Sequence, residues 1–108
     1  MLYEKGDVDV AMAEYRESLR LKPDDPQTHL NLGLAFDKKG DWEGAIREYR
    51  EAFRLEPDPG GVHYYVGQAL EHKGDKQAAL DEYRQASEAD PKNSDYRAAY
   101  DKLRKELK

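Results

Sequence analysis

The chain has 108 residues, of which 38% are charged and 38% are hydrophobic, and its net charge is −5. The length is that of one domain, and the acidic balance disfavours nucleic-acid binding, which needs a basic surface to neutralise phosphates. The sequence has no cysteine for disulfides, thiol catalysis or metal binding, and no apolar run long enough for a membrane span or a signal peptide. A cytoplasmic protein without membrane association is therefore the default expectation.

Apolar residues recur at helical spacing along the chain, in stretches that glycine or proline interrupts. In chain order the stretches are Val10, Ala11, Tyr15 and Leu19; Thr28, Leu32, Ala35 and Phe36; Trp42, Ala45, Ile46, Tyr49, Ala52 and Phe53; Val62, Val66, Ala69 and Leu70; Ala78, Ala79, Tyr83 and Ala86; and Tyr96, Tyr100, Leu103 and Leu107. Asp25 followed by Pro26 is typical of a helix N-cap with proline at the first helical position. Pro57 and Pro91 each follow a stretch, as expected for a residue that cannot donate the backbone hydrogen bond.

Many of these residues return at one fixed interval. Pro23, Pro57 and Pro91 are 34 residues apart (57 − 23 = 91 − 57 = 34). The same interval separates Gly6, Gly40 and Gly74; Ala11, Ala45 and Ala79; Tyr15, Tyr49 and Tyr83; His29 and His63; and Gly33 and Gly67. A period of this size is typical of a repeat array, in which each unit buries its apolar face on its neighbours.

The repeated glycines predict two kinds of backbone contact. Gly6, Gly40 and Gly74 fall between paired helices, where a left-handed cap conformation costs little only for glycine. Gly33 and Gly67 fall inside helices, where glycine costs about 1 kcal/mol relative to alanine. Because this cost recurs at one repeat position, we expect the partner helix to pack closely there.

Gly60 and Gly61 follow Pro59 at the start of another predicted helix, although two glycines begin a helix poorly. Either this helix end frays, or another part of the protein approaches its backbone closely. The sequence leaves both alternatives open.

The repeated positions resemble the tetratricopeptide repeat family, whose pattern runs aromatic, Leu-Gly, aromatic, then Ala, aromatic and finally Pro. One unit gives His29, Leu32, Gly33, Phe36, Ala45, Tyr49 and Pro57, and the next gives His63, Val66, Gly67, Leu70, Ala79, Tyr83 and Pro91. The first unit supplies only Ala11, Tyr15 and Pro23. The departures are histidine where the family often has tryptophan, and Leu70 in place of an aromatic residue. Both still fill a packing site.

The resemblance implies an all-α fold, a right-handed superhelix (α-solenoid) of antiparallel helix pairs with 34-residue repeats. Residues 1–23 would form the second helix of a partial first repeat, and residues 26–59 and 60–93 two full repeats. Residues 94–108 would form a C-terminal capping helix with one apolar and one charged face.

Three histidines raise the question of a metal or acid–base site. His29 and His63 lie one repeat apart at the family's tryptophan position, and we expect both to pack between helices with a satisfied ring nitrogen. Zinc would need further ligands beside them, and the spacing offers none. His72 is most simply a cation near a helix end. No catalytic triad or phosphate-binding loop is present, so we expect neither an enzyme nor a cofactor.

The resemblance also implies where a partner protein binds. In the family, the first helices of successive repeats line a concave groove that holds an extended peptide or a partner helix. The corresponding residues here are Gln27, Leu30, Asn31, Leu34, Lys38, Tyr64, Tyr65, Gln68, His72 and Lys102. Leu30, Leu34, Tyr64 and Tyr65 are the most informative, because clustered exposed apolar groups mark binding surfaces. The alternative is that these four pack against neighbouring helices.

Family members that grip the C-terminal carboxylate of chaperone tails use five lysine, asparagine and arginine side chains. Only Asn31 matches that set, and the positions in the third unit hold Gly61 and Tyr65. The carboxylate clamp is therefore expected to be missing, which disfavours chaperone-tail binding.

The first unit begins halfway through a repeat, because residues 2–4 look like the last turn of a preceding helix. Three explanations remain open at this point. The chain is a fragment of a longer array, two copies cover each other's open ends, or the exposed face is tolerated. The leading functional hypothesis is a non-catalytic interaction scaffold that binds a peptide or helix. The alternative is a self-assembly module, a homo-oligomer formed through the N-terminal end.

Overall fold

The computed structural model describes residues 5–108, which form six helices and no β-strand. The helices are α1 (Lys5–Leu21), α2 (Pro26–Lys39), α3 (Trp42–Leu55), α4 (Pro59–Lys73), α5 (Lys76–Ala89) and α6 (Ser94–Glu106). The chain divides into two compact units, Met1–Pro57 and Asp58–Lys108. In the first unit α2 packs on α1 and α3, and in the second α5 packs on α4 and α6. The predicted all-α fold of consecutive helix pairs is confirmed, while the hand of a superhelix stays a prediction.

Acidic or amide side chains cap the start of each helix from α2 onward. The predicted cap at Asp25 is confirmed, because its carboxylate accepts a hydrogen bond from the backbone nitrogen of Gln27 at 3.1 Å. The other capping residues are Asp41, Asp58, Asp75 and Asn93. Each satisfies a backbone N–H group that has no acceptor within the helix itself.

The turns inside the two helix pairs depend on glycine. Gly40 and Gly74 have φ angles of 83° and 97°, the left-handed region that the sequence predicts. The Gly40 nitrogen donates to the Asp37 carbonyl at 3.0 Å, which closes the end of α2. For Gly6 the prediction is wrong, because α1 begins at Lys5 and Gly6 lies within its first turn. The expected end of a preceding helix at residues 2–4 lies outside the described residues.

The core of the first unit consists of side chains of α1 and α2 that pack together and of the buried face of α3. Its buried members include Val8, Met12, Leu32, Ala35, Ala45, Tyr49 and Ala52. A Cβ atom at Gly33 would lie 2.6 Å from Cε1 of Tyr49, far inside van der Waals contact. The predicted close packing at Gly33 is therefore confirmed.

The second unit repeats this packing and adds α6. Ala79, Tyr83 and Leu103 form its buried centre. A Cβ atom at Gly67 would lie 2.7 Å from Cε1 of Tyr83, and one at Gly60 would lie 2.7 Å from Cε2 of Tyr96. Gly60 is thus a close-contact position inside α4, where the Tyr96 ring rests on the helix backbone.

Candidate functional site

In the first unit, five residues of the predicted groove lie on one face of α2. Their positions follow the i, i+3, i+4, i+7, i+11 spacing of a helix surface. Gln27 and Lys38 are exposed, Leu34 is 36% exposed, and Leu30 and Asn31 are half-buried. The Gln27 side-chain nitrogen donates to the Asn31 side-chain oxygen at 3.1 Å. This face therefore presents two amide groups and an apolar side chain, with a lysine near the helix end.

In the second unit, α4 and α6 carry the remaining predicted residues. Tyr65 and Gln68 are half-buried on α4, and His72 is exposed at its last turn. Lys102 is exposed on α6. The tyrosine and the glutamine offer an apolar surface with polar groups at its edge. His72 lies in the last turn of α4, and Lys102 lies in the second half of α6.

Tyr64 differs from its neighbour because it packs within the second unit. Its ring centroid lies 5.0 Å from that of Tyr96, 6.0 Å from that of Tyr83 and 5.6 Å from that of Tyr65. Burial, and after it the charge of Asp95, raises the pKa of the Tyr64 hydroxyl. Tyr64 thus joins α4 to α5 and α6, and Tyr65 lies at the edge of this aromatic cluster.

His29 bridges the two helices of its pair and the loop that precedes them. Its Nδ1 lies 2.7 Å from Oε1 of Glu48, and its Nε2 lies 2.8 Å from the Pro23 carbonyl oxygen. Both partners are acceptors, so both ring nitrogens donate when the imidazole is charged. Burial alone lowers the pKa of His29, but the bonds to Glu48 and Pro23 outweigh it, so the pKa is raised. The expected satisfied ring nitrogen is present.

His63 makes the equivalent contact one period later. Its Nδ1 lies 2.8 Å from Oε1 of Glu82, again between the two helices of a pair. Each histidine therefore ties the first helix of its pair to a glutamate nineteen residues further along the chain. The arrangement is structural, and among residues 5–108 no three histidine, aspartate or glutamate side chains form a group that could hold a metal ion.

Several of these contacts were missed from the sequence. Glu48 and Glu82 are themselves 34 residues apart, so the period held the signal for both histidine partners. The spacing of the residues does not predict the contact with the Pro23 carbonyl oxygen, because every residue has a backbone carbonyl and the sequence does not show which one accepts. Tyr96 was predicted as an apolar position of α6, but its contact with Gly60 required the packing of α6 on the second unit.

A shallow depression lies on the surface of α3 in the first unit. Its lining residues are Glu43, Ile46, Arg47, Arg50, Glu51 and Arg54. Arg54 and Glu51 already form an ion pair at 2.5 Å. Because charges of both signs lie along a single helix, this is a solvated surface without a defined ligand geometry.

In the part of the chain that the structure describes, no helix has the length and apolar character needed to cross a membrane.

Two protein-family models match the sequence. A model described as tetratricopeptide repeat matches residues 30–94, which is more than half of the chain. A second, described as TPR repeat, matches residues 1–40. The two matches overlap on α2 and together extend to the start of α6. The comparison with curated proteins gives no match.

Solved structures with the same fold cover nearly the whole chain. The crystal structure of MamA is 25% identical in sequence to this chain, with a TM-score of 0.73. The match covers 95% of this chain and 60% of the MamA chain. The TPR domain of Arabidopsis OM64 is 21% identical with a TM-score of 0.75, covering 93% of this chain and 83% of that domain. The first TPR of Spaghetti (RPAP3), bound to an HSP90 peptide, is 19% identical with a TM-score of 0.76, covering 95% of this chain and 82% of that one.

Proposed function

Because the chain belongs to the tetratricopeptide repeat family, we propose that it is a non-catalytic protein-interaction module whose α2 and α4 faces bind a peptide or a partner helix. The observation that carries the proposal is the exposed face of α2. There, Leu34 lies on the same helix surface as the bonded amides of Gln27 and Asn31. Two similar structures, the Spaghetti domain and a human RPAP3 domain, are described as bound to HSP90 and HSP70 peptides.

The chemistry of these faces suggests how a peptide is held. Side-chain amides can hydrogen-bond to the backbone of an extended segment, and Leu34 or Tyr65 can accept an apolar side chain. The predicted groove residues include no carboxylate, but the charge of Asp95 acts on Tyr64. Lys38 and Lys102 are the two lysines of the set. The preferred partner is therefore a segment with apolar anchors, and the faces carry charge of both signs near them.

Recognition of a terminal carboxylate is not part of the proposal. Asn31 remains the single match to the clamp, and Tyr65 occupies one of the other positions. We expect side-chain anchors to determine affinity instead of a free C-terminus. The cytoplasmic location, the lack of nucleic-acid and membrane partners and the lack of a cofactor stay predictions from the sequence.

The test is a selection of displayed peptides on the chain, followed by affinity measurements with substituted proteins. Leu34→Glu and Tyr65→Ala should each weaken the selected peptides about tenfold or more, since each removes an apolar anchor. Leu107→Glu is the matched control, because Leu107 is 39% exposed against 36% for Leu34 and lies after α6. If no peptide is selected, or if Leu34→Glu, Tyr65→Ala and Leu107→Glu all bind equally, the proposal fails.

A further inference from the structure

His29 joins three parts of the first unit through the two nitrogens of one ring. On one side, its Nδ1 lies 2.7 Å from Oε1 of Glu48 on α3. On the other side, its Nε2 lies 2.8 Å from the carbonyl oxygen of Pro23. Pro23 belongs to residues 22–25, which connect α1 to α2 and are called the α1–α2 loop. The ring of a helix α2 residue therefore ties this loop to α3.

The two bonds of His29 exist together in only one charge state of the ring. An ionised carboxylate and a carbonyl oxygen accept hydrogen bonds and donate none. Both ring nitrogens must therefore donate, and only the charged imidazole carries a proton on each of them. The distances at Glu48 and Pro23 are those of well-formed hydrogen bonds. The geometry at His29 is thus that of the charged ring.

Loss of one proton leaves the ring with a single N–H group, for which Glu48 and Pro23 compete. A hydrogen bond to a charged carboxylate is about twice as strong as one between neutral groups, so the proton stays on Nδ1. The unshared electron pair of Nε2 then faces the Pro23 carbonyl oxygen, which is also an acceptor, at 2.8 Å. Because an attractive contact has become a repulsive one, the α1–α2 loop moves away from the ring.

The α1–α2 loop can move without opening the core. Pro23 and Asp24 are exposed, so water can bond the carbonyl oxygen that the ring releases. Other bonds hold the two ends of the loop. The Lys22 amide donates to the Ser18 carbonyl at 2.8 Å, and Asp25 caps the start of α2. Opening of such an exposed segment requires much less free energy than global unfolding.

The charges of α3 set the direction of the pH dependence. Burial lowers the pKa of His29, but the bonds to Glu48 and to the Pro23 carbonyl, with the charges of Glu48 and Glu51, raise it. Glu51 is shared with Arg54, its ion-pair partner on α3. Since the pKa is raised, both bonds are present below about pH 6.5 and one is lost as pH rises through the folded pKa.

The charges of the α1–α2 loop and of α1 are engaged with other groups. In the loop, the Asp25 carboxylate accepts from the backbone of α2, and the charge of Lys22 acts on this carboxylate. On α1, Arg16 lies over the Phe36 ring, about two turns further along α2 than His29. Among the contacts that raise the pKa of the ring, the bond to the glutamate of α3 has the largest effect.

We propose that His29 is a pH-dependent latch of the α1–α2 loop. The charged ring holds the Pro23 carbonyl and the Glu48 carboxylate together. The neutral ring keeps its bond to Glu48 and releases the loop. The bonds of the latch involve none of the residues proposed to bind a peptide, so it does not depend on that function.

The test follows the ring and the loop in one NMR titration of the ¹⁵N-labelled chain, from about pH 5.5 to about pH 9, above the range in which most carboxylates titrate. Long-range ¹H–¹⁵N spectra report which ring nitrogen of His29 carries a proton, and the backbone amides of Asp24 and Asp25 report the loop. We expect protons on both nitrogens at low pH and on Nδ1 alone at high pH. The loop amides should shift with the midpoint of the ring, and His29→Gln should remove their transition.

Substitution of the carboxylate tests what holds the latch. In Glu48→Gln the midpoints of ring and loop should fall together by about half a pH unit or more, since a neutral amide stabilises the charged ring less. Glu82→Gln is the matched control, because Glu82 bonds His63 one period later, and it should leave the His29 midpoint unchanged. The proposal is overturned if the neutral ring carries its proton on Nε2, if the loop amides do not follow the ring, or if both glutamine variants shift the midpoint equally.

Discussion

The two helix pairs, α2–α3 and α4–α5, share their apolar packing but differ in their polar contacts. In both pairs a glycine of the first helix rests against a buried tyrosine of the second, Gly33 on Tyr49 and Gly67 on Tyr83. The histidine of the first pair is 12% exposed and bonds two acceptors, whereas the His63 side chain is 31% exposed and bonds Glu82. The repeat therefore preserves close contacts strictly and allows the polar contacts around them to vary.

The largest expected effect concerns the two tyrosines at the centre of the pairs. Tyr49→Ala and Tyr83→Ala should each lower the free energy of unfolding by about 3–5 kcal/mol, because each removes a fully buried ring. Urea unfolding followed by circular dichroism measures both. Similar losses support equivalent packing in the two pairs. A loss below about 1 kcal/mol for only one of them would show that the pairs are packed differently.

The next effect concerns the glycines that face these rings. Gly33→Ala and Gly67→Ala should each lower the free energy of unfolding by about 1–2 kcal/mol. The added methyl group overlaps the tyrosine ring, and the cost of this overlap exceeds the gain in helix propensity. In a peptide helix the same substitution is stabilising, which makes the sign decisive. Thermal unfolding of both variants provides the measurement. An increase in Tm for either would contradict the close approach seen at that glycine.

A smaller effect, with a pH dependence, is expected at His29. The pKa of His29 is raised, so its bonds contribute fully below the unfolded value of about 6.5 and are lost as pH rises through the folded pKa. His29→Gln should cost about 1 kcal/mol at about pH 6 and less at about pH 8. Equilibrium unfolding of His29→Gln and of the unsubstituted chain at both pH values tests this. An equal loss for His29→Gln at both pH values would refute the charged bridge.

The smallest expected effect lies on the solvent side of the second helices. Arg54 and Glu51 form an ion pair on α3, and Arg84 and Asp81 form one at 3.6 Å on α5. Both pairs are exposed and one turn apart, where salt and side-chain entropy cancel most of the attraction. Glu51→Gln and Asp81→Asn should leave the unfolding midpoint at wild-type level in physiological salt. A resolved destabilisation of either variant would show that the outer surface contributes to the stability of the pair.

The helices and their close contacts could be predicted because the period repeats every residue that takes part in them. Gly33 and Gly67 predicted a close approach of the partner helix, and a tyrosine ring of that helix faces each glycine in the structure. Gly40 adopts the left-handed conformation expected of it, while Gly6 lies inside α1, so the period alone did not determine the start of the first helix.

The surface was harder to predict than the core. Tyr64 and Tyr65 are neighbours of the same type, yet Tyr64 packs against Tyr96 while Tyr65 lies at the edge of the cluster. Which of two adjacent tyrosines turns inward depends on the aromatic ring that α6 supplies, and no property of either residue encodes this. Ligand binding at the faces of α2 and α4 stays a prediction, because the exposure of a side chain does not identify what binds to it.

The most direct test of the proposed function is a two-dimensional NMR titration of the ¹⁵N-labelled chain with a peptide obtained by selection. We expect the largest amide shifts at Asn31 and Leu34 on α2 and at Tyr65 and Gln68 on α4. Amides of α1 should move little, because none of the proposed binding residues lies on that helix. Shifts confined to α1, or spread evenly over the outer surfaces of α3 and α5, would contradict the account.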